Sequence, residues 1–161
     1  MDDPSDPKAW TAAPSAKART AVQRSVTALL DELAPERVLT RGERIKLPVE
    51  QYRTPTGCVL QASRAALSVS WFADADRDSP GELHVVVWRG VVSRRGAPPV
   101  REGATLVKEL VLYPIAPAPD QQLWRSSEGR EYDTATLAAE CLTLLEDQID
   151  AGKPPGPGEP A

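Results

Sequence analysis

LHVVVWRGVV (83–92) and TLVKELVLY (105–113) decide the fold of this chain. Successive side chains of an extended strand point to opposite faces, so consecutive apolar residues make both faces apolar. Val85, Val87 and Val91 fall on one side of the first segment and Val86, Trp88 and Val92 on the other. In the second, Leu106, Leu110 and Leu112 are set against Val107, Val111 and Tyr113. The pattern predicts a sheet covered on two sides.

Upstream, CVLQASRAALSVSWF (58–72) reads best as two strands with a tight turn near Ser63-Arg64, because Leu67, Val69 and Trp71 alternate with Ala66, Ser68 and Ser70, with one long bent strand as the alternative. A polar loop over 73–82 leads into the strand at 83, and 94–103, with its Pro98-Pro99 pair, joins that strand to the next. Downstream, Pro114, Pro117 and Pro119 predict an extended connector, and LWR (123–125) and REY (130–132) flank SSEG as a small hairpin. Residues 36–48 predict one or two short strands, with Ile45 and Leu47 inward, followed by a loop around Tyr52. Connections this short exclude crossover helices, so the strands are expected to run antiparallel.

Helical periodicity flanks the strand region. Pro14 and Ser15 suit a helix start, Val22, Val26, Leu29, Leu30 and Leu33 form one apolar stripe, and Pro35 ends it. Asp133 or Thr134 caps a second helix with Leu137, Cys141, Leu144, Leu145 and Ile149 on its apolar side, and Gly152 stops it. The reading is α+β: an N-terminal helix, a strongly curved antiparallel sheet of about six or seven strands built from hairpins, and a C-terminal helix. Residues 1–12 are expected to be a flexible arm, 13–150 a single domain, and the Pro/Gly-rich 151–161 a disordered tail.

The chain has 161 residues and a net charge of −4. A domain of that size buries about 70% of the surface its unfolded chain exposes, enough for a core without disulfides or metal. An acidic total disfavours general nucleic-acid binding. MDDPSDPKAW lacks the basic end and apolar run of a signal peptide, and no stretch approaches the roughly 20 apolar residues of a membrane span, so a cytoplasmic location away from membranes is expected.

No catalytic motif emerges. Walker, GxGxxG and GxSxG patterns are missing from the sequence, and Cys58 and Cys141 are 83 positions apart with no CxxC spacing. Asp74, Asp76 and Asp78 alternate like calcium ligands, but counting from Asp74 the sixth and twelfth places are Ser79 and Val85, where glycine and glutamate are required. His84, the single histidine, sits inside a strand. No catalytic residue, metal site or cofactor is therefore expected.

The residues expected to mediate contacts are Trp71 and Trp88 together with Arg89, Arg94, Arg95 and Arg101, which lie on or beside one hairpin end. Two helices cover one sheet face, so the other must close by curling or be covered by a second molecule. The expectation is a non-catalytic interaction module, such as an adaptor, accessory subunit, immunity-type or chaperone-like protein. Its partner would be another protein or a second copy in a homodimer. The alternative is a small-molecule or lipid-binding domain with an apolar pocket between the curled sheet and the C-terminal helix.

Overall fold

The computed structural model describes residues 16–34, 49–73, 80–92, 104–115 and 123–152. Helix α1 (Ala16–Glu32) precedes seven strands and helix α2 (Thr134–Ala151) follows them. The strands are β1 (Glu50–Thr54), β2 (Gly57–Ala62), β3 (Ala65–Ala73), β4 (Gly81–Arg89), β5 (Thr105–Pro114), β6 (Trp124–Ser126) and β7 (Glu131–Tyr132). They form one antiparallel sheet in chain order, each strand bonded to the next. The α+β reading with helix, sheet and helix in that order is what the structure shows.

One expectation is corrected: the sheet is not strongly curled. β1 and β7 remain its two ends. Closing a sheet on itself requires tilted strands of matched length. Here the last strands hold only three and two residues, too few to carry the sheet around.

Both helices lie on one face. Val22, Val26, Leu29 and Leu30 of α1 and Leu137, Cys141 and Leu145 of α2 pack with Leu60, Leu67, Val69, Leu83, Val85 and Leu112, and this layer excludes solvent almost completely. Trp124 fills its floor at 0% exposure, edge-on to Trp71 with ring centroids 5.8 Å apart. β1 is tied to α1 from the side. Gln51 Nε2 donates to Leu33 O at the end of the helix, and Arg53 pairs with Asp31 at 2.7 Å.

Local chemistry sets the boundaries. Ser63 takes φ 52° in the two-residue turn between β2 and β3, the position read from Ser63-Arg64. Gly81 has φ 147°, and a Cβ there would lie 2.2 Å from Phe72 O, so the start of β4 admits only glycine. Asp133 caps α2 with a reciprocal pair: Thr136 N donates to its Oδ1 at 2.8 Å and Asp133 N donates to Thr136 Oγ1 at 2.9 Å. The bonds that Thr136 N and Thr136 Oγ1 donate to Oδ1, at 2.8 and 2.9 Å, hold the Asp133 carboxyl below the usual aspartate range.

Three further readings change. Tyr52 belongs to strand β1, not to a loop; EQYRT lacks apolar alternation because it is the half-exposed edge of the sheet. β4 stops at Arg89, where Gly90 turns with φ 106°, so Val91 leaves the strand and is 47% exposed. Finally, Trp88 pairs with Leu106 while Val87 pairs with Lys108, leaving Val107 as the extra residue of a β-bulge. The bulge moves Leu106 to the side of Trp88, away from Leu110 and Leu112. The expected arm at 1–12, the strands at 36–48, residues 153–161 of the tail expected from 151 and the Asp74, Asp76 and Asp78 loop lie outside the described residues, while Ala151 is the last residue of α2.

Candidate functional site

The sheet face turned away from the helices carries a smaller cluster: Val59, Ala66, Val86, Trp88 and Val92, with Tyr52 and Ala104 packed against it. Trp88 is 6% exposed, and its indole N–H donates to Ser68 Oγ at 3.0 Å. Gln61 is the polar hub of this end of the sheet. Its Nε2 faces the carbonyls of Ser63, Ala65 and Gly90 at 2.8–3.2 Å, and its Oε1 accepts from Val92 N at 3.0 Å. Gly90 N also donates to Arg64 O at 2.6 Å. These bonds fold residues 90–92 back over the β2–β3 turn and seat Val92 beside Trp88.

Next to this closed cluster the surface opens. Thr105, Leu106, Val107, Lys108 and Glu109 of β5 are all exposed, with Leu106 at 43% and Val107 at 48%. β6 pairs with β5 only at Leu112–Pro114. Among the described residues no strand lies outside the Thr105–Leu110 stretch. Arg64, Arg89 and Lys108 are exposed at the same end, with no ion-pair partner among the described residues.

The opposite end of this face is polar. His84 Nε2 lies 3.0 Å from Glu82 Oε2, its Nδ1 lies 3.6 Å from Glu109 Oε2, and Phe72 meets the ring edge-on at 5.0 Å. Among the described residues no group of three or more histidine, cysteine or acidic side chains is placed to hold a metal.

The two cysteines and the histidine are not brought together. Cys58 and Cys141 lie in the helix-side core, and His84 stands on the other face, so the sheet itself separates thiols from imidazole. Burial pushes the Cys58 thiol up to about 12, although Arg53 and Gln51 oppose the shift. Burial likewise raises Cys141, and Cys58 adds to the effect. A thiol held protonated in an apolar layer is a poor nucleophile.

The residues singled out from sequence separate into three groups. Trp71 is 7% exposed and belongs to the helix-side core, whereas Trp88 belongs to the second cluster. Within the single chain both indoles are therefore almost wholly packed. Arg89 is exposed at the end of β4, and Arg94, Arg95 and Arg101 lie outside the described residues. Sequence reading did not single out Leu106, Val107, Lys108 or Arg64. The alternating pattern of 105–113 assigned the first two to covered faces, and no local signal marks which stretch of β5 pairs with β6.

No helix among the described residues is long and apolar enough to cross a membrane. No protein-family model, curated protein sequence or solved structure matches this chain. Among the described residues the architecture is a seven-strand antiparallel meander with two helices on one face and a partly open edge at β5.

Proposed function

We propose that this protein is a non-catalytic interaction module that receives a protein partner at the β4–β5 end of its sheet. The observation that carries this reading is the pair Leu106 and Val107, 43% and 48% exposed on a strand whose outer side is unpaired among the described residues. Exposed apolar residues beside an unpaired sheet edge are a recurrent basis for protein recognition. The filled layer between sheet and α2, with Leu67, Val85, Trp124, Leu137 and Leu145 all at 0% exposure, favours this over the carrier alternative. The reading keeps the expectations of a cytoplasmic protein acting without cofactor or nucleic acid.

The test compares tagged wild type with a Leu106→Glu, Val107→Glu variant as baits in native extract, with captured proteins identified by mass spectrometry. Both substitutions fall on exposed positions, so circular dichroism and thermal midpoint should be nearly unchanged. Loss of a specific partner from the folded variant is the expected result. Identical capture by both baits overturns the assignment. Sedimentation of the same two proteins decides whether the partner is a second copy, since a homodimer through this surface would dissociate in the variant.

A further inference from the structure

We propose that the open edge of β5 is a strand-addition site for an extended segment in which acidic and apolar residues alternate. The inference rests on the interaction reading above and names the chemistry of the partner.

The sheet has a step. β6 covers β5 at Leu112–Pro114, and just beyond that Ser127 N donates to Val111 O at 3.2 Å. The backbone of Val111 therefore faces away from β4. In an antiparallel strand both polar groups of a residue point to the same side, and those of the residue two positions away follow. The N–H and C=O of Glu109 accordingly face the open side. Five residues from Thr105 to Glu109 leave an edge of about 17 Å, room for a short strand.

The two sides of that edge differ in chemistry. Lys108 pairs with Val87 and Arg89 with Thr105, which places both cations on the side of the sheet that bears the helices. Each is exposed. Leu106 stands opposite Trp88 on the other side, with the bulged Val107 beside it. A strand laid along β5 sends alternate side chains to the two sides. Carboxylates at every second position would meet Lys108, with Arg89 one strand behind, while the intervening apolar residues would cover Leu106 and Val107.

The same register disfavours a second copy at this edge. Side chains directly opposite must share a face, so a two-fold axis at Lys108 or at Glu109 sets that charge against its own copy. Like charges directly opposite destabilise a strand pair. A lysine and a bulge on an edge strand also discourage indiscriminate pairing. The edge thus selects for a partner of opposite charge. Phosphate would answer the cations equally well, but single-stranded nucleic acid also needs aromatic faces on which bases stack. Trp71 and Trp88 are buried, and the exposed Phe72 pairs with Glu82 at the polar end of the face.

The probe is a labelled synthetic peptide of alternating glutamate and valine, titrated into the full chain by fluorescence anisotropy. A lysine–valine peptide and a labelled oligothymidine serve as controls. The glutamate peptide should bind, the lysine peptide should not, and Arg89→Glu with Lys108→Glu should weaken binding by at least about tenfold. Hydrogen exchange should show new protection of the Glu109 amide in the bound state. Equal binding of both peptides, no response to charge reversal, an unprotected Glu109 amide, or tighter binding of oligothymidine would each overturn the proposal. If the glutamate peptide fails while Leu106→Glu, Val107→Glu still abolishes partner capture, only the partner chemistry is wrong. If both fail, the interaction reading falls with it.

Discussion

The two faces of the sheet bury tryptophan in opposite ways. On the helix side Trp124 is packed at 0% exposure beside Trp71, and its indole N–H has no hydrogen-bond partner among the described residues. On the other side Trp88 belongs to a far smaller cluster, yet its N–H is bonded to Ser68 Oγ. A thick apolar layer can hold an indole through contact area alone, at the expense of an unmade hydrogen bond. A thin cluster lacks that area and is fixed by directional bonds, those of Trp88 and Gln61. The helix face should therefore respond to lost volume and the second face to lost polar partners.

The largest effect expected is at Trp124. Trp124→Ala should destabilise the fold by about 3–5 kcal/mol, measured by urea unfolding, through the cavity left in the helix-side layer. A loss below about 1 kcal/mol would mean that this layer collapses around the vacancy and is not the main source of stability.

Gln61→Leu should cost about 2–4 kcal/mol despite adding apolar surface, since it leaves Val92 N and the carbonyls around Nε2 without their partner. Hydrogen exchange should quicken at Val92 before the rest of the sheet opens. Uniform exchange would show that 90–92 is held by packing instead.

A matched pair sharpens the contrast. Trp88→Phe leaves the hydroxyl of Ser68, a residue 2% exposed, without its donor, and Trp124→Phe removes an N–H that had no acceptor. Trp88→Phe should therefore be the costlier change, by about 1 kcal/mol in chemical denaturation. The reverse order would contradict the distinction between the two faces.

The smallest change concerns the cap of α2. Asp133→Ala should cost about 1 kcal/mol at neutral pH. Because capping lowers the Asp133 carboxyl in the folded state, its contribution is complete above the unfolded aspartate value and is lost as pH falls through the lowered one. Wild type and variant should converge in stability in acid. A difference that persists there would mean that the side chain acts through something other than its charge.

Much of the frame was legible because its signals are local. The turn at Ser63-Arg64, the alternation of Leu67, Val69 and Trp71, the stripe of α1 and the cap of α2 each follow from steric and hydrogen-bonding preferences of neighbouring residues. Tyr52 was misread because an edge strand needs no apolar alternation. Trp124 gave no sign of its place in the core, since three residues are too few to show a period.

The candidate site was less legible, and Leu106 shows why. Its alternation with Val107 is real in sequence, but one bulged residue reverses every assignment beyond it. Only pairing with β4 reveals where the extra residue falls. Its exposure depends on the stop of β6 at Ser126, set by a turn 20 residues further along the chain.

By itself the sequence determined the two flanking helices, the hairpins from β2 onward, their order and the antiparallel direction of the strands, because periodicity, caps and short connections act over a few residues. The tertiary structure decided how far the sheet bends, which tryptophan needs a hydrogen bond and which stretch of β5 is left open. Those outcomes depend on register and on which stretches of distant strands pair, and no run of neighbouring residues encodes either.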